Sequence, residues 1–186
     1  PAKIITATNV FAHVDNLKLF LINIKKILDD SGVFIIEAPH FLNLVKELEY
    51  DTIYHEHLSY ITIKPLISFF KKFSLEIIDV KKSDIHGGSI RIFVSRKNKY
   101  KIKKSVKLIL KKEEDEKLNN FKRLLNFSKK VSENRYNLLN FLIRCKKNKK
   151  KIVGVSAPAK GMTLLNFSRI DSHFLEYVTE KSKLKI

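Results

Sequence analysis

The stretch Val33-Phe34-Ile35-Ile36-Glu37-Ala38-Pro39-His40 decides the fold class. Its first four residues form an unbroken apolar run of strand length, the pattern of a strand covered on both faces. Pro39 ends the run, because proline cannot continue a sheet ladder. Upstream the period becomes helical. Leu17, Phe20, Leu21, Ile24 and Leu28 recur at intervals of three and four within 15–29. Asp15 is placed to cap that helix and Ser31-Gly32 to close it. Before it, Ala2-Lys3-Ile4-Ile5-Thr6-Ala7 reads as a short strand. Downstream, 40–48 reads as a short helix, and Pro65 falls in the first turn of a helix reaching Phe73. Residues 75–80 and 89–94 are β-rich and read as an antiparallel pair joined by 81–88. Strand, helix, strand, helix, strand implies an α/β layered sheet.

Beyond Arg96 the character shifts. Residues 97–150 are charged, nearly free of Gly and Pro, and helical in period through Leu108, Leu118, Phe121, Leu124, Leu125, Val131, Leu138 and Leu142. This predicts one long helix, or two with a break near 111–115. A basic run at 146–151 ends it, as the helix dipole favours. Ile152-Val153-Gly154-Val155 then reads as a buried strand. Residues 156–161 read as a turn, 162–167 as a helix and 175–178 as a strand, the opening of a second α/β domain. A chain that begins and ends on apolar strands reads as a fragment.

The chain has 186 residues, about one domain or one and part of another. At 44% hydrophobic it has material for a core and is not a disordered chain. Its net charge is +18, yet 31 of its 37 basic residues are Lys. Phosphate forks and base-edge readers favour Arg. Lys, Ile and Asn together are what an AT-rich genome produces, so the charge reads as coding bias and nucleic acid is not the expected partner. Cys145, the one cysteine, excludes a disulfide framework and an all-cysteine metal site within this chain. No apolar run is long enough to cross a bilayer, and no secretory leader is visible, so a soluble cytoplasmic protein is expected.

Four regions carry possible chemistry. G-x-G-x-x-G, a P-loop and G-x-S-x-G are all missing, which removes their mechanisms for this chain. Tyr54-His55-Glu56-His57 is the densest polar cluster. Its histidines are two apart, not the four of a zincin helix, and no third metal ligand lies near in sequence, so no metal site is assigned. A surface turn with incidental histidines is the plain alternative. Acid–base work is the sharper reading, since His titrates near neutral pH and a carboxylate can set its tautomer. Asn9 and His13 follow the first strand, and Glu37-Ala38-Pro39-His40 closes the next, at the strand ends where open α/β sheets bind ligands. The Ser156 to Gly161 turn precedes a helix and includes Lys160, a site suited to anions.

These pieces come in order: Asn9-Val10-Phe11-Ala12-His13-Val14, Asp51 to Tyr60 around Tyr-His-Glu-His, His86-Gly87-Gly88-Ser89-Ile90-Arg91, and Ala157-Pro158-Ala159-Lys160-Gly161 with Leu164-Leu165-Asn166. Together they resemble the S-adenosylmethionine-dependent sugar C-methyltransferases, which act on nucleotide-linked 4-keto deoxysugars. The resemblance spans nearly the whole chain, and Tyr-His-Glu-His is its most specific part. It implies that 1–96 is the C-terminal half of a Rossmann-like methyltransferase domain, 97–150 a helical connector, and 151–186 the start of a C-terminal α/β domain that helps hold the nucleotide sugar. The donor's glycine-rich loop and a zinc-binding domain are expected upstream, so zinc is expected only there and the chain alone is expected to be inactive. By this resemblance His57 is the base, and Tyr54 and Glu56 orient it or contact the sugar. Asn9 and His13 contact the sugar or its enolate. Ala159, Lys160 and Gly161 approach the nucleotide phosphates, and Ala38 and Pro39 border the methyl-donor pocket. His55 is expected to be structural. The alternatives are a methyltransferase acting at oxygen on the same scaffold, or a lysine-rich nucleic-acid-binding module.

Overall fold

A computed structural model describes residues 1–183 of the chain. The apolar run lies in the middle of a sheet, as its composition requires. Strand β2 (Leu28–Pro39) pairs in parallel with β1 (Ala2–Thr8) on one side. On the other it pairs antiparallel with β4 (Ser89–Arg96), which in turn pairs antiparallel with the edge strand β3 (Leu75–Ser83). The order β1-β2-β4-β3 makes a mixed α/β sheet, the layered class expected from the alternating periods and consistent with a Rossmann-like methyltransferase fold. Phe34 and Ile36 are fully buried, and Val33 and Ile35 are half-buried, so both faces of β2 are covered.

Two boundaries differ from the sequence reading. Helix α1 (Leu17–Ile27) is capped by Asn16 rather than Asp15: the Asn16 Oδ1 accepts the Leu19 N–H at 2.9 Å, three residues on, where a cap must reach. Nor do Ser31 and Gly32 close the helix. Leu28 is buried and already extended, and β2 begins there, facing Ala2. The β1–β2 register shifts between Ala2 and Ile4, which accommodates the extra residues before Val33. At that irregularity a Cβ on Gly32 would lie 2.7 Å from the Ala2 carbonyl oxygen, so the glycine serves a close approach of two backbones and not a helix end.

Helices α2 (Phe41–Glu47) and α3 (Ile63–Lys71) follow β2, with Pro65 in the first turn of α3. After β4 come α4 (Lys104–Asp115) and α5 (Phe121–Lys147). The connector is therefore two helices, and α4 runs through 111–115 before the break. The break falls at 116–120, where Lys117 takes a left-handed backbone (φ 54°) and Asn120 Oδ1 accepts the Lys122 N–H at 2.8 Å to restart the helix. Leu108, expected in the apolar stripe, is 68% exposed; the stripe of α4 is Val106, Ile109 and Glu113.

The chain forms two compact units. The first comprises residues 1–49 and 55–123 and holds the four-stranded sheet. Its core joins Phe11, Leu21, Phe34, Ile63, Phe70 and Ile92, with α3 and α4 packed against β3 and each other. Phe11 meets Phe20 and Phe70 with ring centroids 6.0 and 6.2 Å apart.

The second unit comprises residues 50–54 and those from 124 onward. Strand β5 (Val153–Val155), helix α6 (Ala159–Ser168) and strand β6 (Tyr177–Thr179) form a β-α-β unit with β5 and β6 parallel. The expectation that β5 is buried on both faces does not hold: Val155 is 83% exposed, because β6 alone flanks it among the described residues. Tyr50 is tied into this unit. Its hydroxyl donates to Asn134 Oδ1 at 2.9 Å, and its ring packs edge-on against Phe167, centroids 5.4 Å apart. Burial holds the Tyr50 phenol above its ordinary pKa, which keeps it a donor. Among the described residues no helix is long and apolar enough to cross a membrane.

Candidate active site

The carboxyl ends of β1 and β2 organise the site in the first unit. β1 stops at Thr8, and Asn9 turns the chain with a left-handed backbone (φ 54°) that asparagine tolerates better than most residues. The Asn9 N–H donates to the Glu37 carbonyl at 2.9 Å, so the turn is anchored to the end of β2. A short 3-10 turn at Phe11–His13 then buries Phe11 and Ala12 and leaves His13 at the surface. Phe11 is the hydrophobic anchor that fixes where His13 emerges.

The loop bearing the Tyr-His-Glu-His cluster returns to this turn. The N–H groups of Leu58 and Ser59 both donate to the Ala12 carbonyl, at 2.9 and 3.1 Å. This places the half-buried His57 ring edge-on against His13, centroids 4.9 Å apart at an interplanar angle of 64°. Two imidazoles thus share one surface. A neutral imidazole accepts a proton at one nitrogen while donating from the other, so the pair can hold both an acceptor and a donor toward one bound molecule. Glu56 and His55 are exposed in the same unit. Next to this surface, a cleft of about 540 Å³ opens between the start of α1, residues 59–62 and the first turns of α3. Phe11, Lys18, Tyr60, Thr62 and Phe69 are among its walls.

The end of β2 is neutral in balance. Glu37 is buried and faces Arg91 across the β2–β4 ladder, and Arg91 Nε donates to its carboxylate at 2.8 Å. The Ala38 methyl is wholly packed in the core, and Pro39 is half-buried. One residue on, His40 is 2% exposed and its Nε2 lies 2.9 Å from Glu113 Oε1. Among the described residues no three of His, Cys, Asp and Glu gather closely enough to hold a metal ion.

The remaining expected residues lie in the second unit. Tyr54 belongs to the segment 50–54 and is half-buried. Ala159, Lys160 and Gly161 form the first turn of α6 after Pro158, so their N–H groups lie at the helix N-terminus. The Ala157 N–H just before that turn is taken by the chain itself: it donates to Glu180 Oε2 at 2.9 Å.

The contacts that three residues of this environment make are not written in the local sequence. Arg91 and Glu37 meet only through the β2–β4 register. Glu113 had one available signal, a carboxylate at a stripe position of α4 four residues beyond the apolar Ile109.

Comparison with known proteins matches residues 84–186 to the family described as C-methyltransferase C-terminal domain and residues 1–80 to the family described as methyltransferase domain. The chain is 25% identical over 185 residues to the C-methyltransferase NovU of Streptomyces niveus, covering 99% of this chain and 44% of that protein. It thus spans less than half the length of the curated relative it matches.

Proposed function

Since the chain belongs to the C-methyltransferase family, we propose that its parent protein transfers a methyl group from S-adenosylmethionine to a carbon next to the keto group of a nucleotide-linked deoxysugar. The meeting of His13 and His57 at the end of β1 carries this reading. A proton beside a ketone is acidic because its loss gives an enolate. His57 accepts that proton, and the C–H electron pair becomes the enolate. His13 and Asn9 face the sugar and donate to the oxygen on which charge develops. Glu56 orients His57 or holds the sugar. Carbon rather than oxygen is the acceptor favoured by the family.

The donor's expected place is the end of β2. Arg91 is neutralised there by the buried Glu37, and a strand end balanced in this way suits a cationic sulfonium. Asn9 and Pro39 would border it, with Ala38 acting by packing alone. When bound, the donor supplies an electrophilic methyl group. Lys160 and the first turn of α6 present a charge and free backbone N–H groups suited to the nucleotide phosphates.

The test uses the full-length protein, S-adenosylmethionine and a nucleoside-diphosphate 4-keto-6-deoxyhexose. His57→Ala is expected to lower the methyl-transfer rate by about 10²–10⁴-fold, the usual worth of a positioned general base. Undiminished transfer would remove His57 from that role, and an inert wild type would remove the substrate class.

A further inference from the structure

We infer that Glu113 is a positioning residue for the loop that carries His57. The inference rests on the reading of His57 as the base. Glu113 lies on α4, far in sequence from the strand ends, and is only 2% exposed. Its Oε1 accepts the Ile63 N–H at 2.7 Å, and its Oε2 accepts the Lys64 N–H at 3.2 Å. These are the first two residues of α3, whose N-cap Thr62 makes no side-chain cap bond, so Glu113 supplies the cap from another helix. The same Oε1 meets His40 Nε2 at 2.9 Å. A carboxylate has only acceptors, so the imidazole donates.

His40 and residues 61–64 are the two walls that hold the downstream end of the His57 loop. His40 bridges to Ile61 in parallel, and the Phe41 N–H donates to the Ile61 carbonyl at 3.0 Å. From His57 onward the chain is therefore pinned three times in seven residues: to Ala12 through Leu58 and Ser59, to Phe41 through Ile61, and to Glu113 through Ile63 and Lys64. The first pin sets His57 against His13. The last two fix the path that reaches it, and Glu113 is bonded to both walls.

An amide at this position has a single acceptor oxygen and two N–H donors. Glu113→Gln therefore sets an N–H against at least one of the three donors and loosens a wall while keeping its volume. The full-length protein is compared with this variant by three measurements: equilibrium binding of the keto-sugar, exchange of its acidic proton with deuterium in the absence of S-adenosylmethionine, and the rate of methyl transfer. The proton exchange reads His57 placement with no methyl chemistry involved. Both rates are expected to fall about ten- to hundredfold, with sugar affinity changed less than about threefold, as small misplacements of a base produce. His40→Phe, which keeps the ring and removes the donor, is expected to shift the same two rates in the same direction by a smaller factor. Wild-type exchange in whichever of these variants folds overturns the role of Glu113. A wild type that neither exchanges nor methylates overturns the underlying functional reading instead.

Discussion

Asp79 sits on β3 at a register irregularity between Ile77 and Asp79 that turns its side chain inward. Burial pushes its carboxyl upward, but the hydrogen bonds from Lys103 and Ser105 outweigh that and hold it below its ordinary value. The two donors approach opposite oxygens, Lys103 Nζ at 2.7 Å and Ser105 Oγ at 2.6 Å, and both stand at the start of α4. The folded-state value is the lower one, so this stabilisation is complete above the ordinary carboxylate range and is lost as pH falls through the folded-state value. Ser105→Ala is expected to cost about 1.5–3 kcal/mol near neutral pH, the worth of a hydrogen bond to a charged group. Urea unfolding at descending pH should show that difference shrink in acid. A difference constant down to strongly acid pH would mean that Ser105 acts through packing and the bond it accepts from the Val80 N–H, not through Asp79. At the same scale, His13 stands out in the sequence after an apolar strand and His57 within a dense polar cluster, whereas their contact does not, because it depends on Ala12 accepting from Leu58 and Ser59.

Elements were legible where their period was strong. The β2 run, the α1 stripe and the β3–β4 pair all form, although β3 extends to Ser83 and β2 starts at Leu28. Their ends were less legible because ends are set by partners. Leu28 leaves the helix because β1 offers it a place in the sheet. The β3–β4 hairpin shows the same dependence. Gly88 has φ 113°, a conformation open to few residues but glycine, and a Cβ there would lie 1.9 Å from Asn43 Nδ2 on α2. Its carbonyl accepts the His40 N–H at 3.1 Å, so the turn is seated against the end of β2. Gly88→Ala is expected to destabilise the protein by about 1–3 kcal/mol from backbone strain alone. Adding Asn43→Ala should recover part of the loss in a double-mutant cycle. Purely additive effects would show that the strain, not the collision with Asn43, is the whole cost.

Across the whole molecule the charge of +18 acts as self-repulsion. Most Lys side chains are exposed, and screening extends over about 10 Å at 0.1 M salt. Raising sodium chloride from about 0.05 to 0.5 M should therefore lift the thermal midpoint by a few degrees. A falling midpoint would mean that the ion pairs, such as those of Asp29 with Lys3 and Glu116 with Lys46, outweigh the repulsion. The amino-acid sequence by itself determined the alternation of strands and helices, the doubly covered central strand, the lysine-rich helical stretch and the chemical identity of the candidate site. Those features follow from residue type and short-range period. Only the tertiary structure decided that β4 inserts between β2 and β3, that His13 meets His57, and that a glutamate from the charged α4 caps α3 and holds His40. Such contacts join residues tens of positions apart. They depend on sheet register and on which helix face is buried, and a local period carries neither.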